Sequence, residues 1–175
     1  MRSLRRLLGI DAESPTDASD TATVRRIAAA LDALPAAEAR FLAAFAYVLA
    51  RVARADLDVS SEESEQMIRL VRAGSTLSEA QSLLVVQMAK TQVIALGGTE
   101  NYLVTRQFKE ISSPAQRVDL LRCLFAVASA DQSISHVESS EITAIGIELG
   151  FDGEEVASIR AAYRDQLSVL KDRPK

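Results

Sequence analysis

The sequence predicts an all-α fold, a compact bundle of about seven to eight helices. From residue 21 onward, apolar residues recur at intervals of three and four, and the alternating β-branched runs typical of strands are absent. Serine, glycine and proline stand where these apolar stripes begin or end, as they do at helix termini. Only 5% of the 175 residues are aromatic. The many alanines therefore predict closely packed helices, because small side chains let helix axes approach one another.

Each predicted helix combines one apolar stripe with a residue that starts or stops it. The first predicted helix ends at Pro35, the second runs to about Ala55, the third spans Ser60 or Ser61 to Gly74, and the fourth spans Ser78 to Gly97-Gly98. The fifth is a shorter helix that contains Phe108, and the sixth starts at Ser113-Pro114. The last two cover 136–149 and 153–170. The helix over 78–96 is apolar on most faces, which predicts that it is the central and most buried element.

The predicted helical domain covers residues 21–170, between a terminal segment on each side. Residues 1–20 combine a basic stub, MRSLRRLLGI, with an acidic linker, DAESPTDASD, and residues 171–175 form a tail. The stub is too short for a signal-peptide core. Two interpretations of it stay open: a stub docked on the domain or frayed, and a basic amphipathic turn that touches an anionic membrane surface or a partner groove.

Composition argues against several classes of function. Twenty Lys and Arg against 24 Asp and Glu give a net charge of −4, unlike the basic surface of a non-specific nucleic-acid binder. The sequence has one cysteine, Cys123, and one histidine, His136. These counts exclude a disulfide framework, thiolate zinc sites and His-rich metal sites. The sequence contains no run of about 18 apolar residues, so no transmembrane helix is expected. We therefore expect a cytoplasmic protein without nucleic-acid partners.

An internal repeat is the most informative feature of the sequence. Residues 55–63, ADLDVSSEE, align with residues 130–138, ADQSISHVE, 75 residues later in the chain. The flanks align as well, so that Leu49 falls on Leu124, and both are expected to be buried. Each unit reads as helix, acidic turn, helix, glycine stop and helix. We expect the two units to pack about a pseudo-two-fold axis, which would bring the acidic turns together.

Two interpretations of the acidic turns stay open. Ser60 with Glu63, and Ser135 with Glu138, have the spacing of capping boxes, in which both side chains satisfy free N–H groups at a helix start. Alternatively, the turns form a site for a hard divalent cation such as Ca²⁺, Mg²⁺ or Mn²⁺, since they offer only oxygen ligands. The candidate ligands are Asp56, Glu63, Asp131 and Glu138, with Asp58 and Glu62 as secondary candidates.

The turns do not form EF-hands. Asp56 and Asp58 match the first and third loop positions, but the required glycine and the final glutamate are replaced by Ser61 and Met67. The second turn departs in the same way, with His136 and Ile142.

Residues 36–165 resemble the TerB-like family of bacterial tellurite-resistance proteins. The family has two motifs of the form A-D-G-x-x-x-x-x-E, each between two helices. The segment VLARVARADLDVSSEESE (48–65) resembles the first motif with its helix, residues 100–142 resemble the second half of the family domain with its motif, and LGFDGEEVASIRAAY (149–163) is similar to its closing helix. The resemblance implies a pseudo-symmetric helical domain with an acidic metal cluster and a role in stress responses, often within complexes near the membrane. The motif glycines are replaced by Leu57 and Gln132, a departure that disfavours metal binding in this member.

Two classes of function remain. The first is a non-catalytic module that binds a divalent cation and uses it to organise a protein-interaction surface. The second is a metal-free interaction scaffold, peripheral to the inner membrane if the stub binds there. An enzyme with a di-metal centre ranks third, because the Glu-x-x-His motifs of such bundles are absent. Among single residues, His136 is expected to face solvent, Cys123 to be buried and inert, and Arg106 with Lys109 to be solvated or to contact an anionic partner.

Overall fold

The structure, a computed structural model, describes residues 18–52, 61–95, 101–130 and 133–167. Within these ranges the chain forms eight α-helices and no β-strand, so the predicted all-α fold is confirmed. The helices are α1 (Ala18–Asp32), α2 (Ala36–Val52), α3 (Ser61–Gly74), α4 (Glu79–Ala95), α5 (Asn101–Ile111), α6 (Pro114–Ala128), α7 (His136–Leu149) and α8 (Gly153–Ala161). A 3-10 turn, Arg164–Gln166, follows α8.

Local capping explains why several helices begin where the sequence predicted. Ser113 caps α6 in a capping box with Gln116, and Pro114 occupies the first turn. Asp152 caps α8, and its carboxylate accepts hydrogen bonds from the backbone amides of Glu154 and Glu155. Helix α7 ends at Gly150, whose φ of 95° is a left-handed conformation that glycine adopts without strain.

The last helix is shorter than predicted, since α8 ends at Ala161 and not near residue 170. The cause is tertiary packing of the segment that follows. The Tyr163 ring stacks on Phe125 with a centroid distance of 5.5 Å, and its hydroxyl donates to the carbonyl of Arg122. Leu167 then pairs with Ile134 in an isolated bridge. These contacts with α6 and with the residues before α7 replace further turns of α8.

Helix α2 is the central element, and the prediction that the helix over 78–96 takes this place is wrong. Helix α2 contacts α1, α4, α5, α6 and α7, and eleven of its 17 residues are buried. Five of the eleven are alanines, so neighbouring helices approach α2 closely on several sides. By contrast, α4 packs on α1, α2 and α3 and leaves Leu83 43% exposed.

Helix bounds and burial agree with the predicted repeat at the positions that it pairs. Helices α3 and α7 begin and end 75 residues apart, and both pack against α6. The prediction that Leu49 and Leu124 are buried is confirmed, because both are fully buried. Met67 and Ile142, which the repeat also pairs, are buried as well. The pseudo-two-fold axis itself stays a prediction.

The described residues leave the terminal assignments open. The basic stub, most of the acidic linker and the 171–175 tail lie outside them, while α1 begins at Ala18, inside the segment predicted as linker. Among the described residues, no helix is both long and apolar enough to cross a membrane.

Candidate functional site

The predicted acidic turns occupy two equivalent junctions, one between α2 and α3 and one between α6 and α7. Asp56, Asp58 and Asp131 lie outside the described residues. Glu62 and Glu63 belong to the first turn of α3, but their side chains also lie outside the description. Of the predicted ligands, Glu138 is therefore the one whose side chain can be located.

Glu138 is part of a capping box at the start of α7. Its Oε2 accepts a hydrogen bond from the Ser135 amide at 2.8 Å, and the Ser135 hydroxyl accepts one from the Glu138 amide at 3.2 Å. The capping-box interpretation is thus confirmed for the second turn. The other box, Ser60 with Glu63, falls outside the described side chains. Because the cap engages one carboxylate oxygen, the other oxygen of Glu138 keeps its capacity to accept.

The N-terminal half of α3 contacts the second acidic turn. Gln66 donates from Nε2 to the carbonyl of Ala130 at 3.2 Å, and Ala130 directly precedes Asp131 in the chain. On α3, Gln66 lies one helical turn after Glu62 and Glu63, since residues three and four apart share a face. The backbone of α3 that bears these two glutamates is therefore close to the second acidic turn.

The residue that the predicted repeat aligns with Gln66 contacts the end of α2. The repeat aligns Gln66 with Glu141 of α7, 75 residues later. Glu141 accepts from Arg51, with Nε at 3.0 Å and Nη2 at 2.8 Å. Arg51 is the last residue but one of α2 and precedes the first acidic turn by four residues. The two aligned residues thus contact different parts of the opposite junction: Glu141 contacts a side chain within α2, and Gln66 contacts a backbone carbonyl two residues after the end of α6.

Arg51 is the centre of a buried polar cluster that sequence analysis missed. Its side chain is 6% exposed, and Nη1 lies 2.7 Å from Glu148 Oε2 and 2.6 Å from the hydroxyl of Thr105. Thr105 is fully buried on α5. The cluster therefore ties the end of α2 to both α5 and α7. One signal was available: Arg51 stands among Leu49, Ala50 and Val52 on a helix that is otherwise apolar at its end.

The environment of Arg51 favours the charged guanidinium. Burial removes water and lowers the pKa of Arg51, but the hydrogen bonds that Arg51 donates to Glu148 and Glu141, together with the negative charges of these carboxylates, outweigh this effect. The net result is a pKa raised above the ordinary value of arginine. The guanidinium is thus a permanent cation between two carboxylates.

Cys123 and His136, the one cysteine and the one histidine of the sequence, lie as predicted. Cys123 is fully buried, and its thiol lies 3.6 Å from the carbonyl of Val71. Burial raises the pKa of this thiol to about 12, so it stays protonated and unreactive near neutral pH. His136 is exposed at the first position of α7.

Within the described ranges, no three His, Cys, Asp or Glu side chains converge in a way that suits a metal ion. The Arg51 cluster joins two carboxylates around a cation, which is an ion-pair arrangement and not a metal site. Since most candidate ligands lie outside these ranges, the paired-turn cation site stays a prediction.

The fold defines a class of protein, a small all-α helical bundle, in which α3 contacts Ala130 after the end of α6 and α7 contacts Arg51 at the end of α2. The family model described as Tellurite resistance protein TerB matches residues 42–161, well over half of the chain. The chain therefore belongs to the TerB family, which confirms the resemblance inferred from the sequence. The matched range includes both acidic turns. No curated protein and no solved structure matches the chain.

Proposed function

We propose that this chain is a non-catalytic TerB-family module that binds a divalent cation between its two acidic turns. The bound cation would organise a surface for a protein partner. The observation that supports the proposal best is the hydrogen bond of Gln66 to Ala130, which holds the first turns of α3 against the second acidic turn. The ion pair between Glu141 and Arg51 supports the proposal as well, because it links α7 to the end of α2.

The donor chemistry of the turns suits a hard cation. The proposed ligands are Asp56 and Glu63 from the first turn and Asp131 and Glu138 from the second, with Asp58 and Glu62 as further donors. Oxygen-only sites take Ca²⁺, Mg²⁺ or Mn²⁺ in preference to zinc or copper. Carboxylates brought together also repel one another, and a cation between them removes that repulsion. The cation would therefore stabilise the pairing of the two junctions.

The alternative is a metal-free interaction scaffold. The capping box at Ser135 favours it, because the box accounts for Glu138 without any ligand. Leu57 and Gln132 favour it as well, since the family motif has glycine at both positions. In this alternative the protein acts in the cytoplasm, or at the inner-membrane surface if residues 1–10 bind anionic lipid.

Thermal unfolding of metal-stripped protein, titrated separately with Ca²⁺, Mg²⁺ and Mn²⁺, distinguishes the two. A cation that binds the folded state stabilises it by about 2.7 kcal/mol at a hundredfold excess over its dissociation constant. For a chain of this length that corresponds to a rise in Tm of roughly 5–10 °C. The rise should disappear in the double variant Asp56→Ala, Asp131→Ala.

The matched control is the double variant Asp32→Ala, Asp165→Ala, which removes two exposed carboxylates from α1 and from the 3-10 turn. It should keep the full response to the cation. No change in Tm at millimolar metal, or an equal rise in the Asp56/Asp131 variant, would contradict the cation site and leave the scaffold. Capture of a partner that survives the Asp56/Asp131 substitutions would point the same way.

A further inference from the structure

A groove of about 450 Å³ opens near the C-terminal end of α7, the end opposite to the capping box of Ser135 and Glu138. Its lining comes from α5, α6 and α7: Tyr102, Arg106, Lys109, Glu110, Arg117 and Glu148. At 1.5 Å per residue, Glu148 lies about 18 Å along α7 from its first residue. Along α7, the groove is therefore well separated from the capping box that contains Glu138.

The two carboxylates of the groove already have cationic partners. Glu110 forms an ion pair with Arg106 at 3.3 Å, and Glu148 accepts from Arg51 at 2.7 Å. Lys109 and Arg117 form no ion pair within the described part of the chain. Arg117 donates from Nη1 to the carbonyl of Leu149 at 3.2 Å, and its buried Nε has no hydrogen-bond partner among the described residues.

Lys109 and Arg117 converge on the same helix end. A Cβ placed on Gly150 would lie 2.6 Å from the Lys109 ammonium, so this side chain covers the C-terminus of α7 beside Leu149. A helix C-terminus has an effective charge of about −0.5, which attracts cations. Two full positive charges exceed that amount, and like charges at one helix end repel each other. The pair is therefore only partly compensated by the protein.

We propose that this groove binds an oxyanion, the carboxylate or phosphate group of a small organic molecule. Lys109 and Arg117 supply the charged contacts. Tyr102 lies on the same stripe of α5, seven residues before Lys109, and is 58% exposed, so its ring is available to the organic part of the ligand. The groove contains three cations against two carboxylates, and this excess of one positive charge suits a single acidic group better than a polyanion. The volume is within the range of small-molecule sites.

The competing explanation is that both cations only stabilise the end of α7. That role requires no ligand, and it predicts no saturable binding of any particular anion. A saturable response to an oxyanion, weakened on removal of one cation, separates the two explanations.

The test is a titration of ¹⁵N-labelled full-length protein in metal-depleted buffer, followed by amide chemical shifts. The probes are phenyl phosphate and benzoate, with phenol as the neutral control. Omitting metal keeps the result independent of the proposed cation site. Saturable shifts within 102–110 and 148–151 are expected with at least one of the two oxyanions and not with phenol. The probe that binds more tightly identifies the acidic group.

The variant Lys109→Gln should weaken binding about tenfold, the loss expected for about 1.4 kcal/mol. Lys109 is exposed, so its replacement leaves the core intact, and the Tm of the variant checks this. The matched control is Arg69→Gln, which removes an exposed cation from α3 and should bind like the parent. No saturable shift with either oxyanion, or equal affinity in Lys109→Gln, would overturn the proposal.

Discussion

Replacement of Arg51 by methionine tests whether the buried polar cluster holds the two units together. Methionine keeps an unbranched apolar stem but removes the guanidinium. Thr105 then loses a charged donor at 2.6 Å, while Glu141 and Glu148 lose their shared cation. Breaking a buried ion pair by removing one partner costs about 3–5 kcal/mol. The side chains of Glu141 and Glu148 are 36% and 20% exposed, so water replaces part of the lost interaction.

The expected loss in free energy of unfolding is therefore near the lower end of that range, about 3 kcal/mol. It corresponds to a fall in Tm of roughly 6–12 °C. Urea unfolding followed by circular dichroism measures the difference. The matched control is Arg69→Met on α3, where the arginine is 68% exposed and its ion pair with Glu65 spans 3.8 Å. That control should lose no more than about 0.5 kcal/mol.

A double-mutant cycle with Glu148→Gln makes the test sharper. If Arg51 and Glu148 act as one unit, the double variant loses less than the sum of the two single losses, by about 0.5–3 kcal/mol. A loss in Arg51→Met no larger than in Arg69→Met would refute the account of the cluster. Strict additivity in the cycle would refute the direct coupling of Arg51 to Glu148.

Three further predictions concern the thiol, the α7–α8 contact and the second cap. Burial raises the pKa of Cys123 from 9.0 to about 12, so its contribution to stability is complete below about pH 9 and is lost as the pH rises toward 12. Between about pH 8 and about pH 10, the free energy of unfolding should therefore fall less in Cys123→Ala than in the parent. An equal fall in both proteins would contradict the buried thiol. Gly146→Ala places a Cβ 2.6 Å from Val156 and should cost about 1–3 kcal/mol in urea unfolding, whereas Gly153→Ala, with open space around it, should cost nothing. Ser135→Ala removes the cap of α7 and should lower the unfolding free energy by about 0.5–2 kcal/mol; an unchanged value would show that the cap is dispensable.

Helix positions were predictable because their signals are local. Ser113, Ser135 and Asp152 each cap a helix with a partner three residues ahead, so the starts of α6, α7 and α8 can be read from four-residue windows. The end of α8 was not predictable in this way. Its apolar stripe continues to Leu170, but packing of Tyr163 on Phe125 ends the helix at Ala161.

The central position of α2 also depends on contacts that no single helix reveals. A helix that is apolar on most faces was expected to be the most buried, yet the alanine-rich α2 contacts more neighbours. The Arg51 cluster illustrates the same limit, since it joins residues 90 and 97 positions apart. For the candidate site, the donors and the capping role of Glu138 were readable from the sequence. The contact of Gln66 with Ala130 was not, because these residues lie 64 positions apart.

The most direct test of the central claim is paramagnetic broadening by Mn²⁺ in the amide spectrum of the ¹⁵N-labelled protein. If one ion is shared between the acidic turns, a substoichiometric amount should broaden signals from residues 56–63 and 131–138 together. The signals of α8 should broaden less, and excess Mg²⁺ should restore the spectrum if both ions compete for the same carboxylates. Broadening confined to one turn, or spread evenly over the exposed acidic residues, would contradict a cation site built from both turns.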